Sequence, residues 1–206
     1  MKQTDFNQII NRHHTGSVKW DFIDRYLQLD ETDLLPMWVS DFDFQCPLEV
    51  RQALHHRVEH GIFGYSERDD QYYQAVMDWF SKRHQLPLQR EWFTSIEGVV
   101  PGLAILIQLL SQPGDPIVIQ GPYYGSFAKI VTLNGREVLE NPLALGPQGY
   151  QFDFDHLEAC FEQRKPPLLL LCNPHNPTGR CWTRDELTQL MTLCSRYGVT
   201  VISDEI

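Results

Sequence analysis

Three short strings carry residue types that could do chemistry. In Asn173-Pro174-His175-Asn176-Pro177-Thr178-Gly179, two prolines fix φ and remove two N–H donors, so the loop is stiff. Gly179 permits an unusual backbone angle. Such a loop can aim an asparagine amide at a fixed ligand atom with little ordering cost; the plainer reading is a turn of ordinary turn residues. In Ser203-Asp204-Glu205, an acid ends an apolar run. A buried carboxylate is costly unless it meets a cation. Asp204 is thus either a cap or solvated loop acid, or an acid that faces a heterocyclic nitrogen and keeps it protonated. In Glu97-Gly98-Val99-Val100-Pro101-Gly102, a glycine ahead of a helix leaves free N–H groups. These can hold an anion, or the string is a common strand-to-helix turn. Neither the GxGxxG of a dinucleotide module nor a P-loop is present, which disfavours nicotinamide and nucleotide binding.

The elements that must position these strings read as follows. Residues 47–60 form an amphipathic helix that Gly61 stops, and residues 69–84 form a second. A strand is expected at Trp92–Ile96, then a helix over 101–112 and a turn at Pro113-Gly114-Asp115. Ile117–Gln120 is a strand, Ser126–Leu133 a helix ending at Asn134-Gly135, and Arg136–Leu139 a strand. Asp155–Gln163 is a helix with Asp155 as N-cap and Glu158 three residues on. Leu168–Leu171 is continuously apolar, as in strands covered on both faces. Thr183-Arg184-Asp185-Glu186 is a capping box, its helix runs to Gly198, and Val199–Ser203 is a further buried strand. Strands alternating with helices give an α/β fold with a mostly parallel sheet flanked by helices, and ligands bind at the carboxyl ends of such strands. All three strings lie at those ends.

The rest of the composition bounds the function. The 206 residues are 42% hydrophobic and carry a formal net charge of −10, an acidic balance that disfavours nucleic acid and membrane surfaces as partners. No run approaches the ~20 apolar residues that span a bilayer, and the start MKQTDFNQII lacks a signal-peptide core, so a cytoplasmic location is expected. Five cysteines without a CxxC point to reduced thiols, some of them buried, and no metal site. The chain stops at Val201-Ile202-Ser203-Asp204-Glu205-Ile206, on what reads as the end of a strand. Termini usually follow a completed element, so a truncated chain, incomplete at its C-terminus, is expected.

Together, the Asn-Pro-His-Asn-Pro-Thr-Gly loop, the strand ending in Ser-Asp-Glu and the Gly-Val-Val helix entry resemble pyridoxal 5′-phosphate (PLP) enzymes of fold type I, the aminotransferase class I/II superfamily. Residues 11–21 (NRHHTGSVKWD), 35–44 (LPMWVSDFDF) and 61–66 (GIFGYS) resemble one branch, the MalY/PatB-type cystathionine β-lyases. The resemblance covers essentially the whole chain and implies its N-terminal half: residues 1–45 as an arm and part of a small domain, and 46–206 as the N-terminal portion of the large PLP-binding domain. It implies that Asp204 pairs with the pyridine nitrogen, Asn176 donates to the ring hydroxyl oxygen, and Tyr124, in preference to Tyr123, stacks on the ring. The Val99 and Val100 amides would hold the phosphate. Tyr65 would reach the phosphate of the neighbouring subunit in a homodimer. Val39 and Ser40, with Asp41, would lie near the entrance for an amino-acid substrate. Trp79, Trp92 and Phe127 are taken as core packing.

The same resemblance places the Schiff-base lysine beyond the Ser-Asp-Glu strand, so no catalytic lysine is assigned. Lys19, Lys82, Lys129 and Lys165 read as surface or arm residues. The implied activity is carbon–sulfur β-lysis of cystathionine or cysteine S-conjugates to thiol, pyruvate and ammonia. Transamination on the same scaffold is one alternative. The other is a non-catalytic remnant, since the 206-residue chain alone is expected to show no turnover and no lysine-linked PLP absorbance.

Overall fold

The apolar run Leu168–Cys172 owes its composition to burial on both faces. In the computed structural model, which describes residues 5–29, 34–147 and 149–206, it is the second central strand of a four-stranded parallel sheet. Residues 1–4 and 30–33 of the expected arm, and Gln148, lie outside the described residues. Strands β1 (Pro116–Gly121), β2 (Glu137–Pro142), β5 (Leu168–Cys172) and β6 (Thr200–Asp204) pair in the order β2-β1-β5-β6. Strands β3 (Ala144–Gly146) and β4 (Gly149–Gln151) form a separate antiparallel hairpin, which hydrophobic periodicity over three-residue strands cannot announce.

The two-residue period of the strands sorts their side chains onto two covered faces. Ile117, Ile119, Leu168, Leu170, Cys172 and Ile202 pack against helices α5 (Val99–Leu110) and α6 (Gly125–Leu133) through Leu103, Ile107, Phe127 and Val131. Val118, Leu169 and Leu171 pack on the other face against α7 (Phe154–Arg164) and α8 (Arg184–Tyr197), through Leu157, Phe161, Leu190 and Cys194. The α/β class with helices flanking a parallel sheet is as the sequence indicates.

The caps follow local chemistry. Thr183 and Glu186 make the capping box of α8, and Gly198 ends that helix at a φ of 69°. Helix α7 is capped by Asp153, whose carboxylate accepts from the His156 amide at 2.9 Å, and not by Asp155. An N-cap side chain serves the amide two or three residues on, and only Asp153 stands that far ahead of the helix. The strand expected at Trp92–Ile96 does not form; a 3-10 turn at Arg90–Trp92 is followed by chain outside any helix or strand. Aromatic and β-branched residues favour strands only against a partner. Strand β6 is a sheet edge among the described residues, and only Ile202 and Asp204 along it are buried.

The chain divides into two compact units, Met1–Pro87 and Leu88–Ile206; the division expected at residues 45/46 falls within the first. That unit holds helices α1 (Val18–Asp21), α2 (Ile23–Leu27), α3 (Leu48–His60) and α4 (Asp70–His84). The two short helices lie within residues 1–45, the stretch read as an arm and part of a small domain. Gly61 ends α3 at a φ of 71°, as anticipated. Phe127 is core, but Trp79 and Trp92 are 56% and 62% exposed. Their helix-spaced or strand-like surroundings suggest burial that the tertiary structure does not supply. No helix among the described residues is long and apolar enough to cross a membrane.

Two variants test this account of the second unit. Leu169→Ala, at a fully buried site between β1 and β6, should lower the unfolding free energy by about 2–5 kcal/mol. Thr183→Ala, which removes the α8 cap, should cost about 1 kcal/mol. Urea unfolding should rank them in that order, and equal costs would contradict it.

Candidate functional site

The carboxyl edge of the sheet is where the sequence strings meet. Cys172 and Asp204 are register partners across β5 and β6, and the Asn173 amide donates to the Asp204 carbonyl at 3.0 Å. Asp204 is two residues beyond Ile202, so its side chain shares the face covered by α5 and α6. It is 8% exposed, and its Oδ1 accepts from the Ile206 amide at 3.1 Å.

The loop after β5 is tied down residue by residue. The Cys172 thiol donates to the Pro174 carbonyl at 3.3 Å and accepts from the Asn176 amide at 3.4 Å. Burial pushes this thiol up, the Asn176 amide pulls the other way, and the negative charge of Asp204 adds to the rise. The thiol thus ties the Asn176 backbone to the strand whose last residue is in register with Asp204. The Asn173 side chain accepts from the Trp182 amide at 3.1 Å, and the Trp182 indole donates to the Cys172 carbonyl at 3.1 Å. His175 donates its amide to the Arg180 carbonyl at 2.7 Å and accepts from Gly179 at 2.8 Å. Gly179 takes a φ of 72°, the left-handed angle its identity allows. Asn176 itself is exposed, and its side-chain amide makes no hydrogen bond among the described residues.

Helix α5 brings two more groups to this edge. It leads through a short turn into the start of β1, so its N-terminus points toward the carboxyl ends of the strands. Twelve helical residues span ~18 Å and the six of β1 ~20 Å, so the helix start reaches the level of the strand tips. Gly102 donates to the Gly98 carbonyl at 3.0 Å, and Pro101 has no N–H. Among the described residues, the Val99 and Val100 amides are left as the free donors of the first turn, with no capping side chain. Gly98 adopts φ 149°, ψ 154°, a conformation essentially restricted to glycine.

Tyr123 packs on the α5/α6 core, and Tyr124 is 43% exposed with its ring 6.0 Å from Phe127, edge to face. On the opposite face, the tips of β1 and β2 set Gln120 beside Asn141 in register. Both are buried, with Gln120 Nε2 and Asn141 Oδ1 unpartnered.

Tyr65, Val39 and Ser40 belong to the first unit. Tyr65 is fully exposed, Val39 half-buried and Ser40 exposed. The segment after Ser40 is clamped by the arm. Arg12 donates to Asp41 at 2.6 Å, to Asp43 at 2.7 Å and to the Phe42 carbonyl at 3.0 Å. The Lys19 ammonium donates to Asp43 at 2.7 Å and to the Asp41 carbonyl at 3.0 Å. Lys19, read as a surface or arm residue, is an arm residue that is buried and paired; its carboxylate partner satisfies the charge. The hydrogen bond to Asp41 raises Arg12, and the bonds from Lys19 and Trp20 hold Asp43 below the usual carboxylate value.

Cys172, His175 and Trp182 were missed as site-building residues. A histidine between two prolines in a strand-terminal loop was the available signal. No group of three or more His, Cys, Asp or Glu suited to a metal exists among the described residues.

A parallel α/β sheet with this carboxyl edge is the fold of the type I PLP-dependent transferases. The structure superposes on the PLP-bound C–S lyase from Staphylococcus hominis with a TM-score of 0.90 at 32% identity, covering 99% of this chain and 51% of that one. The chain belongs to the aminotransferase class I and II family, which residues 32–206 match. It is 43% identical over 202 residues to cystathionine β-lyase PatB of Bacillus subtilis and 37% identical over 204 residues to protein MalY of Escherichia coli, in each case over 98% of this chain. The resemblance read from the N-terminal strings is borne out. The chain spans about half the length of these curated relatives, 52% of each.

Two measurements test the local geometry. Gly98→Ala should lower stability by roughly 1–3 kcal/mol, read by chemical denaturation; an unchanged midpoint would contradict the backbone conformation. Burial holds His175 below its ordinary 6.5, partly offset by the Gln120 backbone. The unfolded chain therefore binds more protons than the folded one between the folded value and 6.5. His175 contributes its stability in full above that window and loses it as pH falls through it. Wild type should lose more unfolding free energy between pH 7.5 and 5.5 than His175→Gln does, and equal losses would refute the shift.

Proposed function

We propose that the carboxyl edge of the sheet binds pyridoxal 5′-phosphate and serves a carbon–sulfur β-lyase acting on cystathionine or related cysteine S-conjugates. One observation carries the cofactor reading: β5–β6 register buries Asp204 beside the rigid Asn176 loop, on the face where α5 leaves two amides free. The donor set suits the group. A phosphate needs N–H donors at a helix start, which Val99 and Val100 supply. A flat ring needs an exposed aromatic face, which Tyr124 supplies. A protonated pyridine nitrogen needs a buried carboxylate, Asp204, and a ring hydroxyl oxygen needs a donor, the Asn176 amide. When bound, PLP supplies an electron sink for negative charge at the substrate α-carbon.

The remaining assignments rest on similarity to PatB and MalY. The substrate loses its sulfur as a thiol, and pyruvate and ammonia follow. By that similarity Val39 and Ser40 are assigned to substrate binding; within the first unit, Arg12 and Lys19 hold the adjoining Asp41–Asp43 segment in place. Tyr65 reaches the phosphate of a neighbouring copy in a cytoplasmic homodimer. Residues 1–45 act as the arm and 46–206 as part of the cofactor-binding domain. No lysine of this chain is assigned to the cofactor or to proton transfer; Lys19 is committed to Asp43. The chain alone is therefore expected to bind PLP without a covalent bond and to turn nothing over.

Titration of PLP into the protein, read by protein fluorescence, tests the site. Asp204→Ala removes a charge-assisted bond worth ~1.5–3 kcal/mol and should weaken binding about ten- to hundredfold, while Glu205→Gln should not. Equal weakening by both, or none by either, would remove Asp204 from the site. For the reaction, an active form given cystathionine should release thiol and pyruvate without an added keto acid. Product that forms only with a keto acid would make it a transaminase.

A further inference from the structure

Val39 and Ser40 lie in neither a helix nor a strand, and neither makes a hydrogen bond among the described residues. Their conformation is therefore set by what holds their neighbours on either side. One residue reaches both sides. The Lys19 carbonyl accepts from the Trp38 indole at 3.2 Å, ahead of the pair. The Lys19 ammonium donates to the Asp41 carbonyl at 3.0 Å and to the Asp43 carboxylate at 2.7 Å, behind it. Arg12 ties only the far side, at Asp41, Phe42 and Asp43.

We propose that Lys19 is a positioning residue for substrate binding, which brackets Val39 and Ser40 and fixes the backbone course of the two residues that meet the amino-acid substrate. Lys19 is itself held in place. It sits in α1, where the Ser17 carbonyl accepts from the amides of Trp20 and Asp21 at 3.2 and 2.7 Å. The Asp21 carboxylate closes the turn ahead of that helix, accepting from the amides of His14, Thr15, Gly16 and Ser17. A lysine is seldom buried unless it is paired, and Lys19 is 8% exposed. Neutralising its ammonium needs only Asp43. The bond to the Asp41 carbonyl, and the bond from Trp38 to the lysine's own carbonyl, add what charge pairing does not: a fixed backbone on each side of the pair. Val39 and Ser40 are then ordered when the protein folds, and substrate binding does not bear that entropy cost.

The role in substrate binding rests on the assignment of Val39 and Ser40 above; the bracketing itself does not. Lys19→Met keeps the apolar stem and removes both bonds from the ammonium. Trp38→Phe keeps a ring against Tyr26 and removes the bond to the Lys19 carbonyl. Lys82→Met, at an exposed lysine of α4, is the control. Nitrogen NMR relaxation reads the backbone. The order parameters of Val39 and Ser40 should be about 0.85 in the unliganded wild type and in Lys82→Met, and fall toward about 0.6 in the other two variants. Two ligands read the consequence for binding: PLP alone, and its stable reduced adduct with S-methylcysteine, which carries the amino acid on the cofactor. The affinity of the adduct relative to PLP should fall roughly tenfold in Lys19→Met, a change of about 1.4 kcal/mol, and by less in Trp38→Phe. PLP alone should bind each variant as it binds wild type, which a general loss of structure would not allow.

If Lys19→Met does not fold, Trp38→Phe, which leaves the ammonium bonds in place, decides by the same two readouts. Order parameters that match wild type in every folded variant would overturn the bracketing. Val39→Gly, which alters the pair directly, separates the remaining outcomes. An adduct-to-PLP ratio lowered by Val39→Gly but by neither bracketing variant would overturn the role of Lys19, and a ratio lowered by none of the three would refute the assignment of the pair to substrate. A wild-type protein that binds neither ligand would refute the cofactor reading, and the relaxation data would still decide whether Lys19 fixes Val39 and Ser40.

Discussion

The pairing of β5 with β6 governs the rest of the second unit. It sets the apolar run Leu168 to Leu171 against Thr200 to Ser203 and ends by setting Cys172 opposite Asp204. Because side chains alternate, this register also chooses the face on which the acid appears. A slip of one residue would turn Asp204 toward α7 and α8, away from the free amides of α5. The hydrophobic core on both faces makes such a slip expensive, since it would also turn Ile202 out of its cluster. The placement of the carboxylate is thus enforced by apolar burial and not by any bond the carboxylate makes.

The loop beyond β5 shows the complementary device. Its inner residues are committed: Cys172 to the Asn176 amide, Asn173 to Trp182, His175 to Thr178. The side-chain amide of its outer residue, Asn176, makes no hydrogen bond among the described residues. Rigidity comes from buried partners and availability from exposure, and adjacent positions in the chain carry the two properties. Charge is arranged similarly in the first unit. Arg12 and Lys19 converge on Asp41 and Asp43, and Asp21 gathers the amides of residues 14–17. That unit orders its arm with polar ties where the second unit uses a core.

The α/β class, most helix and strand positions and the three site strings were legible in the sequence, because they depend on local chemistry. A covered strand must be apolar throughout, a capping box must carry Thr183 and Glu186, and a helix ending in the left-handed region selects Gly61 and Gly198. The family resemblance was legible for the same reason, as strings of neighbouring residues. What depended on distant partners was not. Trp92 and Phe93 looked like a strand but lie outside both sheets, and Trp79 looked buried but is exposed. Asp153 displaced Asp155 as cap by a shift of a helix start. Lys19 read as a surface or arm lysine, and its burial against Asp43 appears only in the folded chain. The roles of Cys172, His175 and Trp182 depend on contacts that cross from loop to strand, and no periodicity encodes them. Residue type and spacing determined what chemistry was available; the parallel register and the packing of two helical layers decided which groups share one edge, because only long-range burial can bring separated strand tips side by side.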